Sequence, residues 1–182
     1  MIVRHVPNLL TGARIALVPV LLSLLAVERY ASALGVGAVA ALTDALDGHL
    51  ARRWHLESRL GAMLDPLADK LLIVGSVLVL ASLGRFPPWL ALAVVGRDGV
   101  ILAGALAYRA VTGSLEIRPT FLSKANTAVQ LVTVLLVVLH GAGAPLEPWL
   151  PAAFGATLAT TVVSGAHYVV AWTLRARSAR AA

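Results

Sequence analysis

Only nine acidic residues occur in this 182-residue chain, and four of them, Asp44, Asp47, Asp65 and Asp69, lie close together in strongly apolar sequence. An acidic side chain at the centre of a membrane helix costs about 2.5–3.5 kcal/mol on insertion scales. Four near one another also repel, and desolvation drives their pKa values up unless cations neutralise them. Helical spacing brings them together. Asp44, Asp47, Gly48 and Ala51 follow i, i+3, i+4, i+7, and Gly61, Asp65 and Asp69 follow i, i+4, i+8, so each set occupies one helix face. The short stretch between the two sets makes the helices antiparallel neighbours. Four facing carboxylates form a hard-cation site suited to Mg²⁺ or Mn²⁺. Gly48 and Ala51 leave a gap beside it, and Arg52 adds a cation at the edge. A divalent metal site, a small-residue cleft and an arginine are what a diphosphate substrate needs. The bland alternative is an ion-pair network of the four Asp with Arg52, Arg53, Arg59 and Lys70. Two acidic pairs within membrane-buried sequence weigh against it, because such residues are functional by default.

The elements that must position these groups are membrane helices. The chain is 59% hydrophobic and 13% charged, against about 45–50% and about 25% in soluble domains. Disordered chains and ordinary water-soluble enzymes are excluded. A span takes about 20 residues, so six spans leave short loops and no second domain. The expected fold is all-α and integral to the membrane, one domain over residues 1–182. Its six transmembrane helices run at about Asn8–Val27, Ala31–Leu50, Pro66–Leu83, Pro88–Tyr108, Phe121–Leu139 and Trp149–Leu174. Without cysteine there is no disulfide or thiolate chemistry.

Charge sets the orientation. With the N-terminus inside, the inner segments hold Arg4, Arg52, Arg53, Arg59, Arg109, Arg118, Lys124, Arg175, Arg177 and Arg180, while the outer loops hold only Arg29 and Arg85. Both termini are therefore expected in the cytoplasm of a cell-membrane protein. Tyr30, Trp89, Tyr108, Trp149 and Trp172 stand at span ends as interfacial aromatics. The net charge of +6 is read as attraction to anionic lipid and not to nucleic acid. The tail from Arg175 to Arg180 reads as a frayed lipid anchor. The apolar stretch after Pro7 contains Arg14 and Pro19 and does not resemble a cleaved signal peptide.

Asp44-Ala-Leu-Asp47-Gly48-His-Leu-Ala51-Arg52, eight residues, then Gly61-Ala-Met-Leu-Asp65-Pro-Leu-Ala-Asp69 resembles the signature of the CDP-alcohol phosphotransferases. All eight fixed positions are present, and the six-span topology extends the resemblance over essentially the whole chain. It implies a homodimer that transfers a phosphatidyl or related group from a CDP-linked donor and releases CMP. It further implies that Asp44, Asp47, Asp65 and Asp69 hold two divalent ions. Gly48 and Ala51 would make room for cytidine, Arg52 would contact the diphosphate, Gly61 completes the donor motif, and Asp69 would take the acceptor proton. Asn8 fits either a contact to the donor diphosphate or a helix cap.

The opening Val6-Pro-Asn8-Leu-Leu-Thr11-Gly-Ala-Arg14 is similar to phosphatidylglycerophosphate synthases and to CMP-forming cardiolipin synthases. Gly96-Arg97-Asp98 and the stretch from Arg118 through Ser123, Lys124 and Asn126 to Gln130 look more like the cardiolipin synthases. The expected donor is thus CDP-diacylglycerol and the expected acceptor phosphatidylglycerol, with glycerol 3-phosphate as the alternative. Arg97, Arg118 and Lys124 are candidates to bind either anionic acceptor. Being adjacent, Arg97 and Asp98 are expected to bond to other spans and not to each other. Arg14 is expected to face the bundle, and the five His carry no role. Two remoter readings are an intramembrane prenyltransferase, whose motifs lack the Gly-Ala-Arg spacing, and a divalent-cation transporter, which needs carboxylates across the whole bilayer.

Overall fold

A computed structural model describes the backbone of residues 6–54, 59–112 and 120–181, and the side chains of Gly12, 15–43, 68–106, Arg109 and 120–171. Six α-helices follow one another: α1 (Val6–Ala26), α2 (Tyr30–Trp54), α3 (Arg59–Ser82), α4 (Pro88–Thr112), α5 (Phe121–Gly141) and α6 (Leu150–Ala181). A 3₁₀ turn, Glu147–Trp149, leads into α6. There is no strand among the described residues. Among the described residues three stretches are long and apolar enough to cross a membrane, Pro88–Leu106, Phe121–Gly141 and Glu147–Ala171, and Ile15–Ala26 and Tyr30–Thr43 are shorter apolar helices. The architecture is that of an all-helical integral membrane protein.

α3 and α6 extend well beyond the spans expected of them. α3 starts at Arg59 and runs on through Pro66, because hydropathy marks only its apolar part and the acidic motif before it is helical too. Pro66 withholds a backbone donor from the turn before it without ending the helix. α6 continues to Ala181, so the expected frayed tail is helical, in keeping with the good helix formers Ala, Leu and Arg that compose it.

The helices fall into two compact units, residues 1–85 with 136–146 and residues 86–135 with 147–182. In the first, α1 packs against both α2 and α3. Val18, Leu21 and Leu25 of α1, Tyr30, Ala33 and Ala40 of α2, and Ala68, Ile73, Val77 and Leu80 of α3 form its buried set. Gly75 permits the close approach of α3 to α1, since a Cβ there would lie 2.7 Å from Leu22 Cδ1.

Helices α1, α3 and α5 end alike. The amides of Arg29, Arg85 and Ala144 reach back to the carbonyls of Leu24, Leu80 and Leu139, closing each helix over a left-handed residue. Gly84 and Gly143 take that conformation freely, whereas Glu28 takes it with φ 56°. Glu28 is held by Arg85 Nη2, which donates to its carboxylate at 3.0 Å, and by the Tyr30 hydroxyl at 3.2 Å. The hydrogen bond from Arg85, followed by that from Tyr30, keeps the Glu28 carboxyl below the usual carboxylate range.

In the second unit α4 packs on α6, and the usual distribution of polarity is inverted. Val132 and Leu135 of α5 and Val162, Val163, Val169 and Val170 of α6 are exposed, while Asn126, Gln130, Thr133, Thr157, Thr161 and Ser164 are buried. In water that arrangement costs apolar hydration on one side and polar desolvation on the other. In hydrocarbon it is favourable, because polar side chains then find partners only inside the bundle.

Candidate active site

The four aspartates are placed by two helices of the first unit. Asp44 and Asp47 lie ten and seven residues before the end of α2 at Trp54. Asp65 and Asp69 lie six and ten residues after the start of α3 at Arg59. At about 1.5 Å per residue, these offsets are about 15 and 10.5 Å on α2, and about 9 and 15 Å on α3. Only four residues separate the two helices, and both pack on α1. If the two helices run as antiparallel neighbours, Asp44 would be level with Asp69, and Asp47 with Asp65, to within about one residue's rise. That is the register a shared cation site would require.

Of these four side chains, that of Asp69 is described, and it is exposed beside the buried Ala68. The side chains of Asp44, Asp47 and Asp65 lie outside the described residues, as do those of Arg52, Ala51, Asn8 and Arg14. Gly48 and Gly61 are helical in α2 and α3. Among the described residues no three Asp, Glu, His or Cys side chains gather as a metal site, a set from which three of the four aspartates are missing. The donor chemistry nonetheless fits a divalent ion: four carboxylates, all hard oxygen donors, carried by two consecutive helices.

The second unit places the acceptor candidates differently from one another. Arg118 lies outside the described residues. Lys124 is exposed in the first turn of α5, its amide bonded to the Thr120 carbonyl at 3.2 Å. Arg97 is buried and surrounded by protein. Its Nη1 donates to Asp98 Oδ1 at 2.9 Å, and its Nη2 donates to Ser123 Oγ at 2.9 Å and to Ser164 Oγ. Its guanidinium carbon also stands 5.7 Å from the Tyr168 ring centroid. The expectation that Arg97 and Asp98 avoid each other is thus corrected. The arginine side chain is long enough to curl back over its neighbour, although the two Cα–Cβ bonds diverge by about 100° around the helix. The bonds to other helices are made as well.

Sequence reasoning missed the row of groups that receives Arg97. Ser123, Asn126, Gln130 and Thr133 on α5 face Tyr168, Ser164, Thr161 and Thr157 on α6. Thr161 Oγ1 donates to Asn126 Oδ1 at 3.1 Å, Thr133 and Thr157 share a hydrogen bond of 2.8 Å, and the Thr120 amide meets the Tyr168 hydroxyl at 3.4 Å. A partial signal was available as the helical spacing of polar residues at 157, 161, 164 and 168, although Thr160 and His167 lie between them off that face.

The sequence model of the CDP-alcohol phosphatidyltransferase family matches residues 4–173. The chain belongs to this family. Within it, the chain is 41% identical to the CMP-forming cardiolipin synthase of Rattus norvegicus over 145 residues, covering 71% of this chain and 48% of the rat protein. It is 30% identical to the CDP-diacylglycerol–glycerol-3-phosphate 3-phosphatidyltransferase of Bacillus subtilis over 183 residues, 90% of this chain and 93% of that one. It is 34% identical to a probable phosphatidylglycerophosphate synthase of Mycobacterium tuberculosis over 175 residues, 92% of this chain and 81% of the relative. The chain thus spans about half the length of the animal cardiolipin synthase it matches, and most of the length of the bacterial relatives.

Proposed function

We propose that this phosphatidyltransferase transfers the phosphatidyl group of CDP-diacylglycerol to the free hydroxyl of phosphatidylglycerol, giving cardiolipin and CMP. The observation that carries the acceptor is the 41% identity to a relative named as a CMP-forming cardiolipin synthase.

In this reading Asp44, Asp47, Asp65 and Asp69 hold two divalent ions, Mg²⁺ or Mn²⁺, on the paired register of α2 and α3. When bound, the ions neutralise the diphosphate and stabilise charge developing at phosphorus. Gly48 and Ala51, with Gly61 across from them in the motif, leave room for the cytidine end of the donor. Arg52 contacts the diphosphate as a planar fork, and Asn8 adds a neutral contact to it. The acceptor oxygen attacks the phosphorus that carries diacylglycerol. A new phosphorus–oxygen bond forms, the bond to the bridging oxygen breaks, and CMP departs with the other phosphate. Asp69 takes the hydroxyl proton as the new bond forms. A weak base serves here because the alcohol acidifies along the reaction path. Lys124 and Arg118 are the cations assigned to the acceptor phosphate. The Nη groups of Arg97 are already engaged by Asp98, Ser123 and Ser164, which weakens its claim to that role.

All six helices cross the cell membrane in this reading, with both termini and the aspartates toward the cytoplasm, and the working unit is a homodimer. A second reading, glycerol 3-phosphate as acceptor, is favoured by the match over 93% of the length of the Bacillus subtilis relative. Purified protein in lipid nanodiscs, given CDP-diacylglycerol and Mg²⁺ or Mn²⁺, decides between them. Cardiolipin formation and CMP release with phosphatidylglycerol are expected. Efficient phosphatidylglycerophosphate formation from glycerol 3-phosphate, with no cardiolipin from phosphatidylglycerol, overturns the first reading.

A further inference from the structure

The row of polar groups between α4, α5 and α6 carries three unused hydrogen-bond donors. Arg97 Nε, Asn126 Nδ2 and Gln130 Nε2 are each buried with no partner. The three residues are almost wholly enclosed, with 6%, 0% and 4% of their surfaces exposed. Asn126 and Gln130 are one turn apart on α5, and Ser123, which takes the Arg97 guanidinium, is three residues before Asn126. All three donors therefore belong to one seam over roughly two turns of α5. Turning the Asn126 amide over exchanges an unpaired donor for an unpaired acceptor, so the need for a partner persists.

Leaving three such groups unmatched costs about 1–3 kcal/mol each, a large part of the about 5–15 kcal/mol that stabilises a typical fold. The missing partner must supply oxygen lone pairs. Charge decides between a neutral and an anionic one. Arg97 is already paired with Asp98 at 2.9 Å, so an anion here would meet a buried carboxylate as well as the guanidinium, which is unfavourable. A neutral oxygen adds no charge, and its own protons have acceptors in the Ser123, Thr161 and Ser164 hydroxyls beside it. Water satisfies these conditions and needs only two to four polar partners to be held.

We propose that the seam between α4, α5 and α6 is an internal water site, with ordered water accepting from Arg97 Nε, Asn126 Nδ2 and Gln130 Nε2. Millisecond hydroxyl-radical footprinting of the full-length protein in phosphatidylcholine nanodiscs tests this, because bound water generates radicals where it sits. Tyr168, buried beside Arg97, is expected to be labelled several-fold faster than the buried Tyr30 of the first unit. In Asn126→Leu/Gln130→Leu the Tyr168 label is expected to fall several-fold, with Tyr30 unchanged as the internal standard. A Tyr168 label no faster than that of Tyr30 in the unaltered protein overturns the proposal, and this comparison needs no variant to fold. A density map of the same sample that shows either a lipid headgroup oxygen or a protein atom on these three donors also overturns it.

Discussion

Arg97→Met removes the charge at the centre of the α4–α5–α6 seam and leaves most of its aliphatic volume. The Arg97 side chain is 4% exposed and that of Asp98 12%, so the carboxylate left behind is nearly buried. Removing one partner of a buried ion pair costs about 3–5 kcal/mol, and the lost bonds to Ser123 and Ser164 fall within that range because the hydroxyls can turn to helix carbonyls. A loss of about 3–5 kcal/mol is expected in SDS-titrated unfolding from mixed micelles, followed by tryptophan fluorescence. Arg97→Met/Asp98→Asn, which removes both charges, is expected to recover more than half of it. Arg97→Lys keeps the charge but loses the fork that reaches three groups at once, and should fall between, at about 1–2 kcal/mol. A loss under about 1 kcal/mol in Arg97→Met, well below the buried-pair range, refutes the reading of Arg97 as an internal tie. So does a double variant as unstable as the single one. A raised KM for phosphatidylglycerol in Arg97→Lys, with stability intact, would return Arg97 to the acceptor site.

Asp47→Asn is expected to abolish CMP release while the helices remain, as circular dichroism will show, because one ligand and one charge leave the proposed cation site; full activity at low Mg²⁺ contradicts it. Gly141→Ala tests packing against helix propensity. Propensity favours Ala by about 1 kcal/mol, but the new Cβ would lie 2.7–2.8 Å from three atoms of the rigid Tyr30 ring, and overpacking costs about 1–3 kcal/mol. A net loss is therefore expected, whereas Gly35→Ala, with nothing within 4 Å, should stabilise. For Glu28 the folded pKa is lowered, so its contribution is complete above about pH 4.3 and disappears as pH falls through the lower folded value. The unfolding midpoint of Glu28→Gln should then converge on that of the unaltered protein on acidification at low salt; a difference that widens toward acid reverses the sign.

The helices were legible because each carries a run of apolar residues, and the motif was legible because its fixed positions are charged or glycine and stand at helical intervals. The bounds were less so, for one physical cause. Hydropathy reports where a helix meets lipid, whereas the backbone hydrogen bonds continue as long as the residues permit. α3 therefore begins at Arg59 and not at Pro66, and α6 ends at Ala181 and not at Leu174. The pairing of Arg97 with Asp98 was misjudged by treating Cβ direction as the reach of the side chain. An arginine has four rotatable bonds beyond its Cα, and where burial leaves few partners it bends toward whichever carboxylate is near.

The least legible feature was the polar seam, and the reason is that its residues are individually ordinary. Thr157, Thr161 and Ser164 are small and common in membrane helices, where a hydroxyl can bond to its own backbone. Thr160 does so, with its hydroxyl on the Ala156 carbonyl at 3.0 Å, and it is the neighbour of Thr161, which instead crosses to Asn126 at 3.1 Å. Sequence does not distinguish these two threonines; the helix face does. Thr161 is turned inward, toward an amide that has no intrahelical acceptor of its own. Two kinds of polar residue thus coexist in this chain for different reasons. The aspartates of α2 and α3 are charged groups in apolar sequence, where each is costly, which is why their spacing alone pointed to a ligand. The hydroxyls and amides of α5 and α6 are cheap singly, and only their enclosure together leaves donors that require a partner.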